Sequence, residues 1–115
     1  MPLSITAGDQ DGHQLLSVAG DLDLSTAPSL TSAAMALIAS GARDVIIDAH
    51  ELAFCDSSGL AAFVQIATHV APQGGRLAIA GPQSIVRRIL EVSGLDEAFV
   101  VVASVHDAIA ELSAA

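Results

Sequence analysis

The apolar run Val45-Ile46-Ile47 constrains the fold of this chain more than any other feature of the sequence. A short, continuous run of β-branched residues is typical of a strand that is buried on both faces, as inside a parallel sheet. Apolar side chains recur at helical spacing before and after it, in residues 30–38 and 60–70. About 20 residues separate this run from the preceding apolar segment, which is long enough for a helical crossover, so the two strands are predicted to be parallel.

The remaining elements follow from the same periodicities. Apolar segments predict five strands in all, at residues 3–7, 13–19, 44–49, 77–80 and 99–102. The Gly- and Asp-rich residues 8–12 predict a turn that joins the first two strands as a hairpin, and residues 51–56 predict a loop. With four helices, the predicted order is β-β-α-β-α-β-α-β-α. This is a single α/β domain over residues 1–115, with a mixed, mostly parallel sheet.

The predicted helices carry end signals. Ser25 and Thr26 are N-cap candidates for the first helix, and Gly94 is placed where a left-handed residue ends the third. The second helix is predicted to begin at residues 56–58. Its predicted apolar stripe consists of Leu60, Phe63, Val64, Ala67 and Val70.

The charge balance excludes several classes of function. The chain has 13 acidic residues against four basic residues, all of them arginine, for a net charge of −9. A chain this acidic repels phosphate backbones, so direct binding to DNA or RNA is not expected. Because it has no lysine, it can form neither the lysine-containing phosphate loop of nucleotide-binding proteins nor a Schiff base.

Two stretches, residues 24–42 and 57–75, carry no Asp, Glu, Lys or Arg. Each contains proline and several polar side chains, whereas a bilayer-spanning helix needs about 20 mainly apolar residues. Both stretches are therefore interpreted as amphipathic helices whose polar faces consist of small residues. Because residues 1–7 also lack the pattern of a signal peptide, we expect a cytoplasmic protein with no membrane association.

Metal and catalytic sites are not predicted. A metal site needs clustered ligands, and here one cysteine accompanies four scattered histidines, His13, His50, His69 and His106. Cys55 can form no internal disulfide and is expected to be a small buried apolar side chain. Ser57 lies outside a Gly-x-Ser-x-Gly motif, so it is not expected to be the nucleophile of an α/β-hydrolase. We expect no enzyme activity and no cofactor.

Residues 52–60 hold the most informative chemistry, because they lead from the predicted buried strand into the second helix. In open α/β sheets, functional sites lie at this edge. Asp56, Ser57 and Ser58 allow two interpretations. All three are good N-cap residues. A serine here is also a favourable phosphate acceptor, because unpaired backbone N–H groups and the helix dipole stabilise added negative charge.

The whole chain resembles a stand-alone STAS domain of the anti-sigma factor antagonist family. The blocks that carry the resemblance are Gly-Asp-Leu-Asp at residues 20–23, Val-Ile-Ile-Asp at 45–48, residues 52–60, Arg-Leu at 76–77 and the helix end at 89–95. They occur in order and in register over essentially the whole chain. Cys55 departs from the family pattern, in which a larger apolar residue is expected.

The resemblance implies a bacterial partner-switching function in the control of transcription. In that family, an anti-sigma factor that is also a serine kinase phosphorylates the serine after the loop aspartate, which is Ser57 here. The unphosphorylated form binds the kinase and frees a sigma factor; the phosphorylated form dissociates, and a metal-dependent serine phosphatase restores it. The implied partner-binding residues are Asp21, Asp23, Asp56, Ser57, Ser58 and Gly59. For Asp21 and Asp23, hydrogen bonding within a turn is an alternative interpretation.

Two other functions are compatible with these residues. A STAS adaptor that never cycles phosphate, inside a larger signalling or transport assembly, has the same fold, although such an adaptor does not need the hydroxyl of Ser57. A small enzyme would need a general base beside Ser57, and no histidine lies near it in the sequence.

Overall fold

A computed structural model describes residues 2–114 and confirms the predicted order of elements within them. The strands are β1 Ser4–Gln10, β2 His13–Leu22, β3 Val45–Cys55, β4 Leu77–Ala80 and β5 Val100–Val102. The α-helices are α1 Ala27–Ala39, α2 Ser57–Val70, α3 Ser84–Ser93 and α4 Val105–Ser113. Single 3₁₀ turns follow α2 and α3.

The strands form one sheet in the order β1-β2-β3-β4-β5. β1 and β2 pair antiparallel as a hairpin, and the other neighbouring pairs are parallel, as the crossover length predicts. Val45, Ile46 and Ile47 are fully buried in β3, the middle strand. The prediction that this run forms a central buried strand is therefore confirmed.

Helices cover the two faces of the sheet unequally. One apolar core joins α1, α2 and α3 to the sheet, with Leu30, Phe63 and Leu90 among its fully buried members. A smaller core on the other face joins α4 to β3 and β4 through Leu112 and Ile46. Phe63 also contacts Phe99 edge-on, with ring centroids 5.9 Å apart. A single large core and a smaller one thus hold the sheet between two helical layers.

Three strands end several residues later than predicted. β1 continues to Gln10, because residues 8–10 pair with residues 13–15, and only Asp11 and Gly12 remain as a tight turn with positive φ. β2 continues to Leu22 and β3 to Cys55, where a loop was predicted. These two extensions pair with each other through register shifts, which alternation within one segment does not reveal.

The predicted stripe of α2 is only partly correct. Phe63 and Val70 are buried, but Val64 is 37% exposed, and Ala62 and Ile66 take its place in the core. α2 packs against α1 as well as against the sheet, so its buried face points between these two neighbours. The prediction assumed that α2 packs against the sheet alone, and it therefore placed the apolar stripe on a slightly different face of the helix.

Candidate functional site

Asp56 begins α2 and fixes the position of Ser57. Its carboxylate oxygen Oδ1 accepts hydrogen bonds from the backbone N–H groups of Ser58 at 2.9 Å and Gly59 at 3.1 Å. The capping interpretation of Asp56 is thereby confirmed. Ser57, the first helical residue, is exposed, and its hydroxyl makes no hydrogen bond within the part of the chain that the structure describes. The cap thus leaves the Ser57 hydroxyl available to solvent.

The end of β2 holds the start of α2 in place. The backbone N–H of Asp56 donates to the carbonyl oxygen of Leu22 at 3.1 Å, and Leu22 pairs with Cys55 across the sheet. One position earlier in the ladder, Asp21 pairs with Phe54. The tetrapeptide at residues 20–23 and the loop that carries Ser57 therefore lie side by side at the carboxyl edge of the sheet.

Gly20 explains the first position of the tetrapeptide. It has φ of 108°, which side chains rarely adopt, and a Cβ atom there would collide with the carbonyl oxygen of Pro2. It also borders a register shift in the pairing of β2 with β3. Glycine lets the strand bend at this point, and the bend directs the following residues toward the start of α2.

Asp23 organises the turn between β2 and α1. Its Oδ1 accepts hydrogen bonds from the Ser25 hydroxyl at 2.8 Å, the Ser25 N–H at 3.0 Å and the Thr26 N–H at 3.2 Å. These bonds, that of the Ser25 hydroxyl above all, lower the pKa of Asp23. The turn interpretation is confirmed for Asp23, and its contact with a partner stays a prediction.

Thr26 occupies the N-cap position of α1, but its side chain does not cap the helix. Its hydroxyl donates to the carbonyl oxygen of Asp21 at 2.9 Å and accepts from the N–H of Asp23 at 2.9 Å. Thr26 is thus at the predicted N-cap position but makes no side-chain cap, and Ser25, the other candidate, lies in the turn before it. Its hydroxyl ties the turn back to the end of β2 and fixes the approach of α1 to the site.

Gly59 allows α2 to begin directly on the sheet. It is buried, and a Cβ atom there would lie 2.6 Å from Cys55 Sγ and 2.8 Å from Leu22 Cγ. The structure thus gives Gly59 a packing role, and its contribution to a partner surface stays a prediction. The same packing accounts for Cys55, since a larger side chain at that position would meet the first turn of the helix.

Gly59→Ala is expected to lower the free energy of unfolding by about 1–3 kcal/mol, because the added methyl group overpacks this contact. Chemical denaturation measures the loss. Gly8→Ala is the matched control, since a Cβ atom there would lie 3.8 Å from the Leu15 side chain, an ordinary contact, and Gly8 does not have the positive φ of Gly20. Equal stability of the two variants would contradict the close packing of Gly59 against Cys55 and Leu22.

Cys55 is protected by the same packing. Its side chain is buried, and burial, with a smaller effect from the nearby Asp56 carboxylate, raises the pKa of the thiol to about 12. The prediction of a buried apolar cysteine is confirmed. Burial and the raised pKa both disfavour reaction of the Cys55 thiol in the folded protein.

In the native protein at pH 8, Cys55 is expected to react with a thiol reagent at least about 100-fold more slowly than in denaturant, because the thiolate is scarce and access is blocked. Absorbance of the released chromophore measures both rates. A native rate close to the denatured one would contradict the burial of Cys55 beneath α2.

Within residues 2–114, His, Cys, Asp and Glu side chains form no group of three or more that would hold a metal ion. In the same range, none of the helices combines the length and apolar character that crossing a membrane requires. The described site consists of an exposed hydroxyl, neighbouring carboxylates and two exposed apolar side chains. Those apolar side chains are Leu24, 77% exposed, and Phe54, 42% exposed.

A trough between α1 and α2, absent from the sequence-based predictions, opens beside this site. It encloses about 650 Å³, with Leu24, Pro28 and Met35 on the α1 side and Ser58, Ala61 and Gln65 on the α2 side. The sequence signal for it was the pair of charge-free stretches, residues 24–42 and 57–75, which were interpreted only as two amphipathic helices. The trough forms only because α1 and α2 pack against each other in the folded protein.

Comparison with known proteins agrees with this geometry. The family model described as STAS domain matches residues 4–108. The anti-sigma-F factor antagonist RsfB of Mycobacterium tuberculosis is 28% identical over 107 residues, covering 93% of this chain and 87% of that protein. The anti-sigma-B factor antagonist of Staphylococcus aureus is 29% identical over 97 residues, covering 84% of this chain and 90% of that protein.

A solved structure gives the same result in three dimensions. The crystal structure of an anti-sigma factor antagonist from Mycobacterium paratuberculosis has a TM-score of 0.88 and 26% identity, and the match covers 96% of this chain and 94% of that one. The family match extends from β1 into α4 and includes both the tetrapeptide and the Ser57 loop. By sequence and by fold, this chain belongs to the STAS domain family.

Proposed function

We propose that this protein is an anti-sigma factor antagonist, switched off by phosphorylation of Ser57. The observation that carries the proposal is the free, exposed Ser57 hydroxyl at the first position of α2, with Asp56 supplying the cap. A kinase can modify that hydroxyl without breaking the cap. The relatives named as anti-sigma factor antagonists support the same function.

The site is suited to hold a phosphate without refolding. A phosphoserine adds about −1.5 to −2 charges, and the positive end of the helix dipole favours negative charge at this position. The new charge is placed beside the Asp56 carboxylate and near Asp21 and Asp23. Phosphorylation changes the surface presented to a partner. A partner whose binding surface fits these carboxylates would then also meet the negative charge of the phosphate, which weakens binding.

In this function, the unphosphorylated protein binds an anti-sigma factor that is a serine kinase and so releases a sigma factor. Phosphorylation of Ser57 causes the complex to dissociate, and a metal-dependent serine phosphatase removes the phosphate. The chain itself acts as a kinase substrate and binding module, without catalysis or a cofactor of its own. These partners place it in the cytoplasm.

Incubation with a purified anti-sigma serine kinase from the same organism and ATP is expected to add one phosphate, at Ser57. Mass mapping of the modified peptide locates it. Ser57→Ala abolishes labelling and, because Asp56 carries the cap, changes the free energy of unfolding by no more than about 0.5 kcal/mol. Ser58→Ala keeps the labelling.

Phosphate mapped to Ser58 would contradict the proposed switch. Failure of any such kinase to label the protein, together with unchanged partner binding by Ser57→Asp, would favour the alternative. That alternative is a STAS adaptor that never cycles phosphate, within a larger signalling or transport assembly.

A further inference from the structure

The start of α2 has almost no unused hydrogen-bond donors. An α-helix begins with four backbone N–H groups that have no acceptor within the helix. In α2, the first of them, on Asp56, donates to the carbonyl oxygen of Leu22 at 3.1 Å. Those of Ser58 and Gly59 donate to the Asp56 carboxylate. Among the residues that the structure describes, only the N–H of Ser57 itself is left without an acceptor.

The start of α3 provides a comparison within the same chain. Like Ser57, Ser84 is an exposed serine at the first position of a helix. The N-cap residue of α3, Gln83, makes no side-chain cap. Within the described part of the chain, the N–H groups of Ile85 and Val86, at the second and third positions, have no acceptor. The two serines therefore have equivalent positions, but a carboxylate occupies only the helix that carries Ser57.

This difference decides what a phosphate on each serine would contact. Free N–H groups at the start of a helix bind phosphate and offset part of its charge. A phosphate on Ser84 would have such donors. A phosphate on Ser57 would have to displace the Asp56 carboxylate, which already accepts two of these hydrogen bonds and adds a negative charge of its own. It is therefore expected to stay in solvent, with about −1.5 to −2 charges on the exposed surface.

We propose that Asp56 is a positioning residue for the phosphorylation switch: by holding the N–H groups of Ser58 and Gly59, it keeps a phosphate on Ser57 off its own helix and exposed to the partner. The inference rests on the proposed function and adds a reason for the strength of the switch. An exposed phosphate loses its hydration when a partner covers it, whereas one bonded to its own helix is already partly compensated. Asp56 thereby increases the difference in partner affinity between the two forms.

An NMR titration of protein made with phosphoserine in place of Ser57, incorporated during translation, tests where the phosphate lies. It follows the amide shifts of Ser58 and Gly59 through the second ionisation of the phosphate, at about pH 6, with unphosphorylated protein as the baseline. In wild type, these amides should not follow the ionisation. In Asp56→Ala they should follow it, because the phosphate takes over the vacated N–H groups. Asp56→Asn, whose side-chain oxygen also caps a helix, should behave like wild type.

Phosphoserine in place of Ser84 is the positive control for this titration. In an otherwise wild-type chain, the amides of Ile85 and Val86 are expected to follow the ionisation of that phosphate, because no side chain caps α3. The comparison of the two serines leaves Asp56 unchanged, so it decides the proposal even if Asp56→Ala does not fold. Thermal unfolding checks the fold of each variant, and the backbone hydrogen bond from residue 56 to Leu22 needs no side chain.

Calorimetric titration against the purified anti-sigma kinase measures the consequence for the switch. The affinity of the unphosphorylated form, divided by that of the form phosphorylated at Ser57, is expected to be at least about 100 in wild type and in Asp56→Asn. In Asp56→Ala this ratio is expected to fall to about 10. Because each ratio compares two forms of one variant, any contact that is lost with the Asp56 side chain cancels.

If phosphate on Ser57 moves the Ser58 and Gly59 amides in wild type, it displaces the Asp56 carboxylate, and the inference is overturned while the proposed function stands. Equal affinity ratios in wild type and Asp56→Ala would overturn it as well. A ratio in Asp56→Asn as low as that in Asp56→Ala would mean that the charge of Asp56, and not its hold on the N–H groups, governs the switch. If both forms of wild type bind alike, the proposed function fails, and with it the effect of Asp56 on binding.

Discussion

Replacing Leu22 with alanine is expected to lower the free energy of unfolding by about 2–5 kcal/mol. The Leu22 side chain is fully buried, and it lies against the first turn of α2 at Gly59, while its own carbonyl oxygen holds the Asp56 N–H. The substitution therefore leaves a cavity where β2, β3 and α2 meet. Denaturation in urea, with the midpoint and slope compared with wild type, measures the loss.

Leu24→Ala is the matched control for this prediction. It removes the same atoms two residues later in the chain, from a side chain that is 77% exposed, and is expected to change stability by no more than about 0.5 kcal/mol. Hydrogen exchange adds a local measurement, because the amides of Ser58 and Gly59 should lose protection in Leu22→Ala. Equal stability losses in the two variants would contradict the anchoring of α2 by the end of β2.

Ser57→Asp is expected to weaken binding to the anti-sigma kinase about 100-fold, through negative charge placed in the interface. The fold should tolerate it, because an acidic side chain is favoured in the first turn of a helix. Binding of purified proteins, measured by calorimetry at fixed salt concentration, gives the affinity. Ser57→Ala should bind like wild type, since it adds no charge.

The control for charge alone is Ser84→Asp. Ser84 is also an exposed serine at the first position of a helix, α3, and the substitution changes net charge by the same amount. It should leave the affinity unchanged. A comparable loss in both variants would mean that overall charge, and not the position of Ser57, governs binding.

The elements that the sequence predicted correctly depend on local signals. β4 begins at Leu77 and ends at Ala80 as predicted, because Gly81 and Pro82 follow it directly. Gly94 ends α3 in the left-handed conformation, and Leu95 packs onto the core after it. Glycine, proline and short apolar runs act through their own backbone preferences, so their effect is visible without knowledge of the neighbouring elements.

The wrong boundaries depend on pairing between neighbouring strands. Asp9 and Gln10 are poor strand formers by themselves, yet they lie in β1 because residues 13 and 14 are opposite them. The extension of β3 to Cys55 needs β2 to reach Leu22. Neither strand predicts its own extension, because each is stabilised by hydrogen bonds to the other.

In the candidate site, too, local interactions could be predicted from the sequence and contacts between elements could not. The capping role of Asp56 and the turn role of Asp23 were visible in the sequence, because both act on residues two or three positions away. The packing of Gly59 against Cys55 and Leu22 was not, since Leu22 lies in another strand. The trough was hidden for the same reason, because it exists only where α1 and α2 meet.

The most direct test of the switch at Ser57 compares two preparations of wild-type protein, one unphosphorylated and one fully phosphorylated at Ser57, in calorimetric titration against the anti-sigma kinase. The unphosphorylated protein is predicted to bind, the phosphorylated protein to bind at least about 100-fold more weakly, and phosphatase treatment to restore the original affinity. Equal affinities of the two preparations would contradict the proposed function.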